Sequence, residues 1–324
     1  MNPSITVLLF SYNQSEYLLD SVNSVINQTM DDWELIVIDN GSTDGSQALL
    51  NQFDSNLKVK IVLHPKNRNL SINCNQGVNL AKGRYISFLY SDDYYLPDKL
   101  EKQLEAFSKL SADYGVVHSP CKELKVDTGE ITMMPSIPAT GEVLGDLFTR
   151  FNEGFINPIT PLIRKECFER YPFYEDIFGE GEGIFFRFAM TYKFYYINTP
   201  TAVMREHGRN MRYAKKKNAT VFEYTMDRLA ENDDFPIKYT FHLKSLKARI
   251  LASYGWQDIR LGKDTDWARS MFKKAVKTDW RQAFKVRTII GWGLSLFPVN
   301  IRVMVNKIVK KTLNRKDIPY TDKY

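Results

Sequence analysis

Two adjacent carboxylates, Asp92 and Asp93, directly follow an apolar segment, Tyr85–Leu89, that has the pattern of a buried β-strand. Like charges side by side repel each other, so such a pair needs a cation or a hydrogen-bonding partner. In parallel α/β sheets, ligands bind outside the carboxyl ends of the strands. The pair therefore predicts a divalent-cation site, and a hard cation in such a crevice is typical of phosphate binding.

A second carboxylate, Asp39, follows the apolar segment Leu35–Ile38 in the same way. At the end of a strand, Asp39 can accept the N–H of a pyrimidine base. Gly41 permits close backbone approach or a positive φ. Ser42 or Thr43 can cap the next helix, whose N-terminus favours a phosphate group. An ordinary βα loop with an N-cap explains the same residues, so this motif alone leaves both interpretations open.

The elements that carry these residues alternate between strand-like and helix-like patterns. The predicted strands are Ile5–Phe10, Leu35–Ile38, Val59–Leu63, Tyr85–Leu89 and Val116–His118. The predicted helices are Leu18–Ile26, Ser71–Ala81 with Ser71 as N-cap, and Pro97–Leu110. This alternation predicts βαβ units, and therefore a Rossmann-like α/β fold with a mostly parallel sheet between helices.

The rest of the chain is less regular before it becomes helical. Residues 120–175 contain six prolines and are expected to line an acceptor site. A helix at Ile184–Tyr192 and a strand at Phe194–Asn198 are predicted next, followed by a mostly helical region from residue 219. The predicted domains are 1–218, with halves 1–115 and 116–218, and a helical extension over 219–324.

Composition excludes several classes of protein. The 324 residues are 44% hydrophobic and 25% charged, which is ordinary for a soluble globular chain. The three cysteines lie far apart without a CxxC spacing, which argues against a disulfide framework or a zinc site and fits a reducing cytosol. The amino-terminal segment has no basic stretch, so no signal peptide is expected. No apolar run approaches the roughly 20 residues that span a bilayer.

The net charge of +6 is concentrated near the carboxyl end. Residues 285–316 contain eight basic side chains and no acidic one. On a helix, Ile301, Met304 and Val305 share one face, whereas Arg302 and Lys307 fall on the other. This pattern predicts a basic amphipathic helix on an anionic membrane surface, although a helix packed on the protein with its lysines in water is the alternative. No nucleic-acid recognition motif is present, so nucleic acid is not expected as a partner.

An ordered series of motifs, taken together, resembles a known protein family. The series comprises Ser4–Asn13, Ser24–Thr29, Trp33–Asp44, Ala81–Ile86 and Ser91–Lys102. It resembles the family 2 glycosyltransferases, densely over residues 3–110 and more weakly over 155–212. The resemblance implies a GT-A fold and inverting transfer of a sugar from a nucleotide diphosphate donor, with UDP favoured. It also implies Mn²⁺ or Mg²⁺ as the cofactor.

The resemblance implies roles for residues on the nucleotide side. Asp39 resembles the aspartate that contacts the base, commonly uracil. Tyr12 and Asn13 lie where the first strand ends near the nucleotide, and Ser42 follows in the second loop. Arg84 is a candidate donor contact, with a surface turn as the alternative.

The resemblance also implies roles at the metal and the diphosphate. Asp93 is expected to bind the metal, and Asp92 to contact the ribose or sugar of the donor. His207 matches a histidine that serves as an additional metal ligand. Arg209 lies in the loop that closes over the diphosphate in this family.

The catalytic base is the point where the sequence departs from the family. Inverting transfer is a single displacement, so a carboxylate must deprotonate the acceptor hydroxyl. The family usually carries two adjacent acids ahead of a helix. Aligned through Ile184–Arg187, Glu180 falls on the first acid and Gly181 on the second. Either Glu180 or Glu182 is therefore expected to be the base.

These expectations add up to an inverting, metal-dependent glycosyltransferase of bacterial cell-surface polysaccharide synthesis. Its acceptor is expected to be a glycan or a lipid-linked molecule, and its location the cytoplasmic face of the cell membrane. The C-terminal helices are a candidate surface for self-association. A catalytically silent partner that binds nucleotide sugar or glycan is the alternative, whereas an NAD-linked enzyme is disfavoured because no GxGxxG follows the first strand.

Overall fold

The computed structural model describes residues 2–151, 153–210, 214–261 and 264–305. The chain divides into two compact units, Met1–His207 and Gly208–Tyr324. The first unit is an α/β assembly that carries two sheets, and the second unit is helical.

The strands of the first unit are β1 (Ile5–Ser11), β2 (Trp33–Asp39), β3 (Val59–Leu63), β4 (Tyr85–Tyr90), β5 (Tyr94–Tyr95), β6 (Tyr114–His118), β7 (Cys121–Lys125), β8 (Ile131–Met133), β9 (Leu162–Arg164), β10 (Lys193–Tyr196) and β11 (Ala202–Glu206). A seven-stranded sheet has the order β10-β6-β9-β4-β1-β2-β3, and a four-stranded sheet has the order β5-β11-β7-β8. In the large sheet β9 runs antiparallel to both of its neighbours, and the other pairs are parallel.

The helices of the first unit are α1 (Ser15–Ile26), α2 (Ser46–Leu50), α3 (Leu70–Leu80), α4 (Lys99–Ser108), α5 (Leu144–Thr149), α6 (Lys165–Arg170) and α7 (Gly183–Phe188). Those of the second unit are α8 (Lys215–Ala230), α9 (Thr240–Leu261), α10 (Thr265–Thr278) and α11 (Val286–Leu294). Short 3-10 helices span Asn51–Phe53, Ile237–Tyr239 and Trp280–Phe284.

The core of the first unit forms because β1 and β2 are apolar on both faces. Val7 and Leu9 belong to a buried cluster that also contains Leu18 and Val22 of α1. The opposite face of β1 meets α3, where a Cβ added at Gly77 would lie 2.9 Å from the Leu8 side chain. The α/β prediction is therefore confirmed, and covering both faces of the central strands holds their carboxyl ends in fixed positions.

Two local predictions need correction. The N-cap of α3 is Asn69, not Ser71, because the Asn69 side chain accepts the Ser71 backbone N–H at 3.0 Å. The helix expected to run to Tyr192 ends at Phe188. There the backbone tightens, and the N–H of Thr191 donates to the carbonyl of Phe188 at 3.1 Å.

In the second unit, α9 and α10 bury a small apolar cluster that contains Leu251, Met271, Phe272 and Ala275. None of the helices within the described ranges combines the length and the apolar character needed to cross a bilayer.

Candidate active site

The register of the parallel strands brings three loops to one edge of the large sheet. Ser11 at the end of β1 pairs with Asp39 at the end of β2. Phe10 pairs with Tyr90, the last residue of β4. The segments that follow these strands contain Tyr12, the residues after Asp39, and the Asp92–Asp93 pair. They consequently share the carboxyl edge, where α/β sheets bind ligands.

The loop after β2 is organised by the Asp39 carboxylate, which is fully buried. Its Oδ1 accepts the Ser42 backbone N–H and the Gln47 side-chain amide, each at 2.9 Å, and its Oδ2 accepts the Ser42 hydroxyl at 2.6 Å. Gly41 has a φ of +79°, and a Cβ there would lie 2.4 Å from the Lys66 backbone carbonyl carbon. This loop therefore has a defined shape that requires glycine at its closest contact.

The loop after β1 is bonded to the loop after β2. Asn13 has a left-handed φ of 52°. Its N–H donates to the Ser42 hydroxyl at 2.9 Å, and its side-chain oxygen accepts the Thr43 N–H at 2.8 Å. The neighbouring Tyr12 ring remains 44% exposed, so one aromatic face stands open beside a rigid pair of loops.

A guanidinium that sequence reasoning missed lies beside these loops. The Asn40 side chain donates to the Arg68 carbonyl at 2.8 Å. The Arg68 side chain is half-buried and contacts His64, Asn73 and Gln76. The only signal in the sequence was a basic residue shortly after the third strand, a placement that surface loops share. Arg68 supplies a cation beside the loop that follows β2.

The two adjacent aspartates have different environments. The Asp92 Oδ2 lies 3.1 Å from the His207 Nε2, and the two side chains are 18% and 7% exposed. The His207 ring stacks on Tyr17 with a centroid separation of 5.3 Å. A carboxylate oxygen and an imidazole nitrogen thus face each other at the carboxyl edge.

Asp93, which was expected to bind the metal, is bonded to three neighbouring segments. It is 4% exposed, and its Oδ1 accepts the backbone N–H of Arg205 at 2.9 Å. The Asp93 carbonyl accepts the Ser21 hydroxyl at 2.7 Å, and its N–H donates to the Tyr90 carbonyl at 3.0 Å. These bonds join β4 to α1 and β11, so Asp93 holds the turn while Asp92 presents its carboxylate.

Arg205 supports the same turn from β11. Its guanidinium lies over the rings of Tyr17 and Tyr94, at 5.2 and 4.6 Å. It donates to the Asp92 carbonyl at 3.1 Å and to the Asp20 carboxylate at 2.8 Å. The buried guanidinium fixes the backbone from which the Asp92 side chain projects.

Asp92 and His207 are candidate ligands for the divalent cation that the family resemblance implies. No group of three or more His, Cys, Asp or Glu ligands occurs in the part of the chain that the structure describes. Asp92 and His207 offer two ligands. Mg²⁺ is commonly held by one or two carboxylates plus the phosphates of its substrate. The pair therefore fits a cation whose remaining ligands come from a bound diphosphate.

Arg84 does not lie at this edge, and its predicted contact with the donor is corrected. It immediately precedes β4, whose six residues separate it from the carboxyl edge. At about 3.3 Å per residue, that separation is roughly 20 Å. The Arg84 guanidinium lies over the Tyr85 ring at 5.6 Å. Arg209 belongs to the second unit, and its role stays a prediction.

In the acidic loop, Glu180 forms a buried ion pair. Arg187 donates to both of its oxygens, at 2.9 Å from Nε and 2.5 Å from Nη2. The exposed fractions of the two side chains are 0% and 3%. The Tyr174 N–H also donates to this carboxylate at 3.2 Å, and the guanidinium lies 3.9 Å from the Tyr174 ring centroid. Glu180 is thus bonded on both oxygens and shielded from solvent.

Glu182 differs from Glu180 in each of these respects. It is half-buried at the start of α7, and no described residue forms an ion pair or hydrogen bond with its carboxylate. Desolvation raises its pKa from 4.5 to about 7. The loop before it turns at Gly179 and Gly181, with φ values of +63° and +57°. Gly179–Gly181 also lines a small cavity together with Tyr90, so this loop adjoins the end of β4.

The profile of the family described as Glycosyl transferase family 2 matches residues 6–171, about half of the chain. The chain belongs to glycosyl transferase family 2. This confirms the family that the ordered motifs indicated.

Curated relatives match over part of their length. A putative teichuronic acid biosynthesis glycosyltransferase, TuaG of Bacillus subtilis, is 37% identical over 113 residues, which cover 35% of this chain and 45% of TuaG. The putative glycosyltransferase EpsE of the same organism is 31% identical over 144 residues, which cover 43% of this chain and 51% of EpsE. The chain therefore spans about half the length of these relatives.

Solved structures match over nearly the whole chain. S. aureus TarS 1–349 in complex with UDP-GlcNAc superposes with a TM-score of 0.65 at 16% identity, covering 99% of this chain and 97% of that one. The mannosyltransferase PcManGT of Pyrobaculum calidifontis, in complex with GDP-Man and Mn²⁺, gives a TM-score of 0.58 at 15% identity, with 98% and 89% coverage. The predicted GT-A fold with a helical C-terminal region is confirmed.

Proposed function

We propose that this family 2 member is an inverting, metal-dependent glycosyltransferase that moves a sugar from a nucleotide diphosphate donor to a glycan or lipid-linked acceptor. The observation that carries the proposal is the pairing of Asp92 with His207 at the carboxyl edge of the sheet. The nearby acidic loop adds Glu182, a carboxylate without a partner among the described residues. Metal ligands and a free base are the two components that such a transfer needs.

The relatives support a role in bacterial cell-surface polysaccharide synthesis. TuaG is named for teichuronic acid biosynthesis, and a chondroitin synthase of Escherichia coli is 35% identical over 107 residues. Two similar folds hold different donors, UDP-GlcNAc in TarS and GDP-Man in PcManGT. A UDP-sugar is favoured because the family resemblance assigns Asp39 to a pyrimidine base, and the Tyr12 ring beside the loop that Asp39 organises is 44% exposed and can stack on such a base.

For the metal, we propose Asp92 and His207 as the protein ligands in place of Asp93. A bound cation would neutralise the charge that develops on the leaving nucleoside diphosphate. Asp93 and Arg205 then act as positioning residues, because their bonds fix the turn from which Asp92 projects.

For the base, we propose Glu182. A general base works best when its pKa lies near the operating pH, and desolvation brings Glu182 to about 7. Glu180 is already bonded to Arg187 through both oxygens. In the proposed displacement, the oxygen of the acceptor hydroxyl attacks the anomeric carbon of the donor sugar while Glu182 takes the hydroxyl proton. The bond between that carbon and the diphosphate breaks, and the nucleoside diphosphate leaves.

The test is a thermal-shift screen of nucleotide sugars with and without Mn²⁺, followed by transfer assays on the donor that stabilises the fold. A ligand that binds only the folded state must raise its melting temperature. We expect Asp92→Ala to lose the Mn²⁺-dependent shift. Full metal-dependent transfer in that variant would overturn the metal assignment.

The second candidate function is a catalytically silent partner that binds nucleotide sugar or glycan. It is favoured by Gly181, which stands where the family usually has the second acid. Donor binding without transfer across a broad panel of acceptors would support it.

We further propose that the protein works at the cytoplasmic face of the cell membrane, where a lipid-linked acceptor resides. The basic composition of residues 285–316 supports an anionic membrane surface as partner. Self-association through the C-terminal helices stays a prediction.

A further inference from the structure

Helix α11 exposes large apolar side chains and buries small or polar ones. α11 (Val286–Leu294) and the turn after it bury small or polar residues, with Thr288 at 1% and Ser295 at 4% exposure. The same helix exposes Ile289 at 56% and Ile290 at 45%. A helix on a soluble protein normally turns its apolar stripe towards the core. Here Ile289 and Ile290 face outward, whereas Trp292 packs against Phe272 with a centroid separation of 6.3 Å.

Specific inward contacts fix this orientation. A Cβ added at Gly291 would lie 2.3 Å from the Phe272 ring, so only glycine allows α11 to approach α10 this closely. Arg269 donates from Nε to the Ser295 hydroxyl at 3.0 Å and from Nη2 to its carbonyl at 2.8 Å. Rotation of α11 about its axis would break these bonds and bring large side chains against Phe272.

Beyond α11, Ile301 and Met304, which were predicted to share the apolar face, are 37% and 56% exposed, whereas Arg302, predicted on the other face, is 3% exposed. Its guanidinium donates to the Ile259 carbonyl at 2.8 Å and to the Thr265 hydroxyl at 3.0 Å. The neighbouring Val303 and Met304 are exposed instead. Lys307 and the later basic residues of that prediction lie outside the described residues.

The outward side chains form what we call the apolar face, defined by Trp280, Phe284, Ile289, Ile290, Leu296 and Phe297, which are 45% to 77% exposed. Apolar residues scattered singly on a surface are ordinary, whereas a group of this kind indicates an interaction site. Aromatic residues at such a site are typical of membrane–water interfaces, because a ring suits the headgroup level.

We propose that the apolar face inserts into the interfacial layer of a bilayer that contains anionic lipids, with α11 lying in the membrane plane. This deepens the membrane association proposed above, and it does not depend on the catalytic assignment.

The charge around the apolar face favours an anionic bilayer over a second copy of the chain as its partner. Lys285 and Arg287 are exposed beside the face, and residues 285–316 contain no acidic side chain. A second copy of the chain would place like charges against each other, which opposes association. Anionic headgroups would instead match the exposed cations while the apolar side chains leave water.

The experiment is flotation of the full chain with phosphatidylcholine vesicles, with or without phosphatidylglycerol. Two double variants remove parts of the face, Trp280→Ser with Phe284→Ser and Ile289→Ser with Ile290→Ser. The matched control is Leu57→Ser with Ile237→Ser, since these side chains are 103% and 88% exposed and lie outside the face. All variants change exposed residues, and thermal melting will verify that they fold.

We expect wild type and control to bind vesicles containing phosphatidylglycerol more tightly than pure phosphatidylcholine. Each face variant should lose about 10²-fold in partition coefficient. Quenching of Trp280 fluorescence by brominated lipid in wild type, and its loss in a Trp280→Phe variant, would support insertion.

Three outcomes would overturn the proposal. These are failure of wild type to bind either vesicle, full binding by both face variants, and a dimer in solution that the face variants convert to monomer. Binding that disappears only when residues 306–324 are deleted would assign the membrane contact to the tail instead. Transfer to soluble and lipid-linked acceptors is measured in parallel. Absence of transfer to soluble and lipid-linked acceptors alike, in a chain that binds vesicles, would refute the catalytic proposal and leave the membrane inference intact.

Discussion

The sharpest prediction concerns the pH dependence of Glu182. If this carboxylate is the base, transfer requires its ionised form, and its pKa of about 7 sets the acid limb of kcat/KM. A single group titrating at that pKa makes the rate rise about tenfold between pH 6 and pH 8. Replacing it by glutamine, which cannot take the proton, should lower kcat by about 10²- to 10⁴-fold and remove this limb.

Ionisation of Glu182 with rising pH should increase the rate of transfer but lower the stability of the folded protein. Burial raises the pKa of Glu182 from 4.5 to about 7, so the folded state holds the proton more tightly than the unfolded chain does. The folded state therefore loses stability as pH rises from about 4.5 to about 7. At about 1.4 kcal/mol per pKa unit, the loss is at most about 3.5 kcal/mol, and partial solvation of this half-buried group reduces it. Glu182→Gln should recover that loss at pH 8.

The assay pairs steady-state transfer with urea unfolding from pH 5.5 to pH 8.5, at saturating Mn²⁺. Glu169→Gln is the matched control, since it removes an exposed carboxylate from the opposite edge of the sheet. It should retain both the activity and the acid limb. An acid limb near pH 7 that persists in Glu182→Gln, or undiminished transfer by that variant, would refute Glu182 as the base.

Other predictions concern the remaining residues of the site. Asp92→Asn should weaken Mn²⁺ binding in a metal titration, whereas Asp93→Asn should mainly lower the melting temperature, because Asp93 is bonded to backbone. Glu180→Gln should lower the free energy of unfolding in urea by about 3 kcal/mol or more, since it leaves the Arg187 charge buried without its partner; an unchanged unfolding midpoint would contradict this. Gly41→Ala should weaken donor binding in calorimetry, because its methyl group would displace the Lys66 backbone 2.4 Å away; unaltered affinity would mean that the loop adapts.

Most strands of the large sheet could be predicted from local patterns of apolar residues in the sequence. β3 spans Val59–Leu63 as predicted, and β1, β2 and β4 differ from their predicted bounds by one or two residues. Strands that are buried on both faces read as continuous apolar runs, and carboxylates at their ends stand out against that background. The position of Asp39 and of the Asp92–Asp93 pair at one edge follows from this pattern and the parallel register.

The short antiparallel strand β9 and the N-cap of α3 could not be predicted from the sequence. β9 is three residues long and runs antiparallel between two parallel neighbours, an arrangement that no local pattern specified. The N-cap of α3 was missed because Asn69 and Ser71 are both capping residues, and the backbone path decided between them.

The sequence by itself determined the family, the α/β architecture and the acidic residues available for chemistry, because these depend on periodicity and on residues close together in the chain. Only the tertiary structure decided how those residues divide their tasks. Asp92 meets His207 across 115 positions, and Asp93 meets Arg205 across 112. Likewise, the outward face of α11 depends on its contact with Phe272. Contacts between segments that are distant in the sequence determine which of two similar side chains is bonded and which remains available to a ligand. A pattern of neighbouring residues in the sequence does not contain that information.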